Sequence, residues 1–346
     1  MHLLFHIGSP KAGSTTIQQA LQQSAGVLRE QGVLAWEADN SRGPAARTLA
    51  NAFARNEKPL LPRERLFFDD RKAAIAWSRE NWDRLAAQVA AEKPDLTILS
   101  SENFYEMHNV RPVLDRLRAI FSQITILAYV RDPVAQFRSM LDQRIRDGDR
   151  LADLPVPGSQ VQRGEVALEN YRKHLGPENV RLRAFDRRNF PGGDLIADVF
   201  AQIEAVLGRP LPPAPELSAA NESLCAAATL WLLGANEAFI RFGKDDRELV
   251  RRRIDLIRRL SKARELTALP KLTDPDERVA IWIRHANREA IEYFNRVALS
   301  EQIPLKQAPA DTMLPPEAEM RAGLRDWLFS NARPEDLARV LHYAVV

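Results

Sequence analysis

Residues 1–16 read Met1-His2-Leu3-Leu4-Phe5-His6-Ile7-Gly8-Ser9-Pro10-Lys11-Ala12-Gly13-Ser14-Thr15-Thr16, and the order of residue types in them decides the fold. Leu3 to Ile7 is a short apolar run, of the kind buried on both faces in a parallel sheet. It breaks at Gly8, and the chain then passes through a glycine-, serine- and lysine-bearing loop. Beyond the loop Ile17, Ala20, Leu21, Val27 and Leu28 recur at roughly helical spacing. A strand, a glycine loop and a helix in that order make an anion site. Loop N–H groups and the helix N-terminus converge on one place, and the helix dipole favours negative charge there. Lys11 adds a formal positive charge, and Ser14, Thr15 and Thr16 add hydroxyl donors.

The loop departs from the common nucleotide P-loop, G-x-x-x-x-G-K-[ST]. Gly8 and Gly13 have its spacing, but Ser14 stands where the lysine belongs, and the lysine comes early, at Lys11 after Pro10. In this variant form, Pro10-Lys11-Ala12-Gly13-Ser14-Thr15-Thr16 resembles the 5′-phosphosulfate loop of the sulfotransferases that use 3′-phosphoadenosine-5′-phosphosulfate (PAPS). The resemblance implies that residues 11–16 hold the 5′ end of PAPS.

The rest of the first half repeats the strand–helix alternation. Leu96-Thr97-Ile98-Leu99 reads as a buried strand ending in Ser100-Ser101-Glu102-Asn103. Ile124 to Val130 reads as another, ending in Arg131-Asp132-Pro133, with a helix after it. Val33 to Trp36 and Val180 to Phe185 add two shorter strands, and Leu195 to Leu207 an amphipathic helix. This order predicts an α/β fold, a P-loop-like parallel β-sheet flanked by helices. In such sheets ligands sit at the carboxyl ends of the strands. The loop, Glu102 and Arg131 belong to that edge.

Arg131 and Ser139, eight residues apart, form a second constellation. Arginine suits bidentate charge-assisted bonds to phosphate, and serine adds a hydroxyl. The strand–Arg131-Asp132-Pro133–helix context is similar to that of the sulfotransferases, where such a pair binds the 3′-phosphate of PAPS. The resemblance spans roughly residues 1–207. The chain thus divides into an expected α/β core over 1–207 and, from its residue pattern, a largely helical region over 208–346.

Sulfuryl transfer needs a fixed positive group at the leaving phosphate oxygen and a base for the acceptor hydroxyl. The resemblance gives the first role to Lys11. For the base, Glu102 stands at the sheet edge and His108 six residues on, with an imidazole that titrates near neutrality. His6 reads as a packed histidine whose ring bonds the loop. The expected product is 3′,5′-adenosine bisphosphate. No CxxC, HExxH or acidic cluster at ligand spacing calls for a metal. Asp69-Asp70, before the helical pattern that runs through Trp77 and Trp82, reads as a helix cap and not as a metal site.

At 346 residues, 45% hydrophobic and 27% charged, with a net charge of +3, the chain is of ordinary globular composition. Its basic excess is too small to indicate nucleic acid. Cys225 is the single cysteine, which excludes an internal disulfide. No apolar run approaches the length of a membrane span, so the expected setting is cytoplasmic, in a bacterial enzyme. Lys244 to Glu265 is basic and amphipathic, with Val250, Ile254, Ile257 and Leu260 as an apolar stripe. It reads as a solvated face, or as a landing surface for an anionic glycan or lipid. Asn221-Glu222-Ser223 reads as a capping turn, and Ile281–Val297 and Glu317–Val346 as amphipathic helices. The expected acceptor is a hydroxyl of a carbohydrate or small metabolite. The rivals are a Mg²⁺-dependent P-loop phosphotransferase and a non-catalytic nucleotide-binding scaffold.

Overall fold

Leu3, Leu4, Phe5 and His6, each at most 2% exposed, lie in the central strand β1 (His2–His6). The computed structural model describes residues 1–37, 49–53, 60, 67–215, 223–242, 247–298 and 302–345. Most of the irregular stretches 42–56 and 59–65, the Asn221–Glu222 turn and the start of the basic segment at Lys244–Asp246 lie outside the described residues.

The chain forms two compact units, 1–131 with 163–217 and 293–305, and 132–162 with 218–292 and 306–346. The expected single boundary after residue 207 is therefore corrected. The segment after Arg131 belongs to the helical unit, and residues 293–305 return to the α/β unit.

The first unit is built on five parallel strands: β1, β2 (Val33–Ala35), β3 (Leu96–Ser100), β4 (Gln123–Val130) and β5 (Val180–Ala184), in the order β2-β3-β1-β4-β5. β1 has β3 on one side and β4 on the other, with His6 opposite Ser100 and Leu127. All three are buried on both faces, which is why each reads as an unbroken apolar run. Leu4, Ile98, Leu127 and Tyr129 share a cluster with Ile17, Ala20, Leu21 and Leu28, and with Ile196, Val199, Phe200 and Ile203. These come from the helices Ser14–Gln23, Ala25–Glu30 and Leu195–Leu207. Phe5 points the other way, as strand alternation requires. It meets Phe104 edge-on, with ring centroids 5.0 Å apart, and Phe104 in turn meets Trp82 of helix Arg71–Glu92. Asp70 caps that helix by accepting from Ala73 N at 2.7 Å, which is the role the sequence suggested.

β5 lies at one end of the sheet, and its open edge is partly closed by Gln302. The Gln302 amide donates to Leu182 O at 3.0 Å and accepts from Ala184 N at 2.6 Å. One side chain thus satisfies two strand groups that would otherwise invite another strand.

In the second unit, helix Pro133–Asp147 starts at Asp132, whose carboxylate accepts from Val134 N and Ala135 N at 2.9 and 3.2 Å. Phe137, Leu141 and Ile145 pack with Leu232, Leu233, Val279, Ile283, Leu324, Leu328 and Val340. Two stretches that read as single helices are each broken at an asparagine. Asn287 separates Glu277–Ala286 from Arg288–Val297. It is fully buried, and its Oδ1 accepts from Val161 N and Gln162 N, both at 2.8 Å. Asn331 ends Glu317–Ser330 and accepts from Thr273 N at 2.8 Å. In both cases the side chain serves a segment distant in sequence, so local periodicity cannot show the break. Ser24 likewise divides the first helix in two.

The basic segment contains the helix Arg247–Lys262. Its apolar stripe is corrected in phase. Ile254 is 42% exposed, whereas Leu256, Ile257 and Leu260 pack inward. Arg253 joins them, stacked on Phe239 and donating to Ile145 O at 2.8 Å. Arg252 and Arg258 pair with Glu248 and Asp255 along the helix. Among the described residues, no helix is long and apolar enough to cross a membrane.

Candidate functional site

The loop after β1 continues alongside β4, which runs further than β1. Ile7 N donates to Leu127 O and Ser9 N to Tyr129 O, both at 2.9 Å. The chain then turns sharply. Gly8 has φ +28°, Lys11 +66° and Gly13 +80°. For Lys11 the left-handed conformation carries a strain of about 1–3 kcal/mol, which the surroundings must offset. Arg131, the residue after β4, supplies part of that. Its Nη1 donates to Lys11 O at 2.8 Å, and its guanidinium lies 5.5 Å from the centroid of the Phe185 ring.

Gly13 is the N-cap of helix Ser14–Gln23, and its helix has no side-chain cap. Ile17 N makes the first intrahelical bond, to Gly13 O. The N–H groups of Ser14, Thr15 and Thr16 therefore have no intrahelical acceptor and point out of the helix start. A Cβ at Gly13 would lie 2.5 Å from Leu195 Cδ2 and 3.0 Å from Phe185 Cε2, so only glycine fits this turn without displacement. Ala12 is fully buried in the core cluster; its side chain packs inward and only its backbone belongs to the loop. Ser14 is 5% exposed, Thr16 is half-buried and Thr15 is exposed.

Beneath the loop, His6 sits at the end of β1, 2% exposed. Burial lowers its pKa to about 4, so the ring is neutral at physiological pH. Its Nδ1 lies 2.8 Å from Ser100 Oγ, so the ring bonds the end of β3 and not the loop itself. Tyr129, whose carbonyl holds Ser9 N, anchors the loop to a buried network. Its hydroxyl donates to Asp198 Oδ2 at 2.7 Å, and Arg183 Nε donates to the same oxygen at 2.7 Å. Burial, followed by the charge of Asp198, pushes the Tyr129 phenol well up, so it remains a donor.

The carboxyl ends of β1, β3 and β4 thus bring together residues 8–16, Ser100, Ser101 and Arg131. Ser101 N donates to His6 O at 2.9 Å. Glu102 follows directly as the first residue of the short turn Glu102–Phe104 and is half-buried. His108 lies beyond that turn, exposed, with its carbonyl bonded by Asn170 Nδ2 at 2.7 Å. Ser139 belongs to the second unit. It lies half-buried on helix Pro133–Asp147.

Sequence reasoning did not select Ser9 for the site, and it read His6 as a packed histidine bonding the loop. Both carry a buried polar atom with no hydrogen-bond partner among the described residues, as does Ser14. For His6 the signal is the β1–β3 register, which sets it against Ser100. Among the described residues, no group of three or more His, Cys, Asp or Glu is placed to hold a metal ion. The arrangement as a whole is an anion cradle: backbone N–H groups, two buried hydroxyls, a lysine and an arginine at one sheet edge.

No family model matches the chain, and no curated protein matches it. Three solved structures show a distant likeness. The chain is similar to the sulfotransferase domain of the Synechococcus PCC 7002 olefin synthase, with 17% identity, 61% of this chain and 74% of that one covered, and a TM-score of 0.34. It is similar to the sulfotransferase domain of the curacin biosynthetic pathway, with 18% identity, 61% and 75% covered, and a TM-score of 0.35. It is also similar to a sulfotransferase from Alicyclobacillus acidocaldarius, with 15% identity, 68% and 92% covered, and a TM-score of 0.38. At these scores the likeness carries no weight beside the loop geometry.

Proposed function

We propose that the chain is a sulfotransferase that moves a sulfuryl group from PAPS to a hydroxyl of a carbohydrate or small metabolite. The observation that carries this reading is the early-lysine loop itself. Lys11 is held in a left-handed turn by Arg131, ahead of a helix start that has no side-chain cap and carries the buried Ser14. PAPS would supply a sulfuryl group bonded to a phosphate that leaves as an anion.

On this reading residues 11–16 hold the 5′-phosphosulfate end by their backbone N–H groups and hydroxyls. The Lys11 ammonium places positive charge where the leaving oxygen gains its negative charge. Arg131 has a double part. Its Nη1 shapes the loop through Lys11 O, and its charge stands beside the site, suited to the 3′-phosphate. Ser139 belongs to the proposal as a second 3′-phosphate ligand on the strength of its spacing alone. Glu102, half-buried at the sheet edge, is the preferred base for the acceptor hydroxyl, ahead of the exposed His108. No metal enters the scheme.

Calorimetry with 3′,5′-adenosine bisphosphate, beside ATP–Mg²⁺, tests the reading. Metal-free binding of the bisphosphate, weakened at least tenfold (about 1.4 kcal/mol) in Lys11→Ala and Arg131→Ala, is the expected result. A preference for ATP–Mg²⁺ would make the protein a phosphotransferase instead. Binding of the bisphosphate without turnover over a broad panel of hydroxyl acceptors would make it a nucleotide-binding scaffold. Glu102→Gln should abolish turnover with binding intact; unchanged turnover would remove Glu102 from the base role.

A further inference from the structure

Among the described residues, three buried polar atoms at the loop have no hydrogen-bond partner, His6 Nε2, Ser9 Oγ and Ser14 Oγ, on residues 2%, 0% and 5% exposed. Two of them, His6 Nε2 and Ser14 Oγ, lie about Gly8. A Cβ on residue 8 would lie 2.8 Å from His6 Nε2 and 3.2 Å from Ser14 Oγ, and Ser9 is the next residue. Buried polar atoms are rarely left without partners. Two of them beside one helix N-terminus, around a position that has no side chain, with a third on the next residue, point to a ligand oxygen.

The far side of the imidazole decides which nitrogen carries the proton. Gln18 Nε2 donates to Ser100 Oγ at 3.3 Å and to Ser100 O at 3.3 Å. With Oγ already accepting from Gln18, the serine's own proton goes to His6 Nδ1, 2.8 Å away. The ring proton then belongs on Nε2, facing Gly8. With the opposite tautomer, Ser100 Oγ would accept twice and its own proton would have no acceptor in this group.

We propose that His6 is a ligand-binding residue of the loop, donating its Nε2–H to an oxygen of the bound phosphate or sulfuryl group, with Gln18 and Ser100 setting its tautomer. This rests on the anion reading of the loop in the preceding subsection and extends it to a residue of β1. His6 thereby gives the anion a donor without a charge, beside the charged Lys11 and Arg131. Gly8 leaves the space through which that donor reaches the ligand.

The test is nitrogen-15 NMR of the His6 imidazole in the wild-type protein, titrated first with inorganic sulfate and then with 3′,5′-adenosine bisphosphate. The expected result is an Nε2–H tautomer whose proton signal shifts with either anion. Alongside it, His6→Asn keeps a polar group toward Ser100 but falls short of the loop, whereas His6→Gln reaches the Nε2 position with an N–H. The bisphosphate Kd should rise about tenfold in His6→Asn and stay within about threefold in His6→Gln. An Nδ1–H tautomer, or an Nε2–H signal unmoved while the bisphosphate binds, would overturn the proposal. So would a signal unmoved by both anions. If sulfate moves the signal and the bisphosphate does not bind, the His6 assignment stands and the sulfotransferase reading fails.

Discussion

Replacing Gly13 by alanine tests the packing that shapes the loop, because the molecule supplies its own control. Gly13 has φ 80° and ψ 11° at the start of one helix, and Gly208 has φ 78° and ψ 14° at the end of another. The backbone strain of an alanine in this left-handed region is the same at both, about 1–2 kcal/mol. The space differs. At Gly208 a Cβ would meet nothing within 4 Å, whereas at Gly13 it would lie 2.5 Å from Leu195 Cδ2 and 3.0 Å from Phe185 Cε2. Both neighbours pack against the core cluster, so overpacking adds about 1–3 kcal/mol at residue 13 alone. Urea unfolding followed by circular dichroism should show Gly13→Ala destabilised by about 2–5 kcal/mol and Gly208→Ala by about 1–2 kcal/mol. Phe185 lies under the Arg131 guanidinium, so Gly13→Ala should also weaken bisphosphate binding and Gly208→Ala should not. Equal losses of stability in the two variants would refute the claim that Leu195 and Phe185 close on the loop.

Three further outcomes follow from the buried groups. The His6 pKa falls from an ordinary 6.5 to about 4 in the folded protein. A lowered folded-state value means stability that is full above pH 6.5 and is lost as the pH falls toward 4, by about 3 kcal/mol. Urea midpoints measured from pH 7 to pH 4 should therefore fall less steeply in His6→Gln than in wild type, and parallel slopes would show that the ring is not neutral when folded. Asp198→Ala leaves Arg183 and the Tyr129 hydroxyl without their buried acceptor, and should cost about 3–5 kcal/mol in the same urea assay. Asn287→Ala removes the acceptor of two buried amides; a loss of about 2–4 kcal/mol should appear together with faster hydrogen exchange at Val161 and Gln162.

The α/β architecture was legible in the chain because its central strands are covered on both faces. Leu3–Ile7, Leu96–Leu99 and Ile124–Val130 are apolar without alternation, and only a buried parallel sheet asks for that. Helix Leu195–Leu207 was legible from its amphipathic pattern, and the structure ends it with Asp194 accepting from Ile196 N and with Gly208 in the left-handed region. The breaks at Ser24, Asn287 and Asn331 were not legible. At the two asparagines the reason is physical: what makes each a terminus is a pair of partners far along the chain. The phase of the basic helix was misread for a related reason. Arg253 turns inward to Phe239 and to carbonyls of another helix, which a hydrophobicity pattern scores as outward.

The site divides in the same way. Its loop was legible in the sequence alone, because Gly8, Lys11, Gly13 and Ser14 set local backbone geometry and place adjacent hydroxyls. Only the tertiary structure decided what surrounds them. Arg131 reaches Lys11 O because β4 runs beyond β1, and His6 meets Ser100 because β1 and β3 pair in register. Likewise, Ser139 falls in the helical unit although it follows Arg131 by only eight residues. A loop's conformation is written in neighbouring residues, whereas the partner of a strand end depends on pairing between segments about a hundred residues apart.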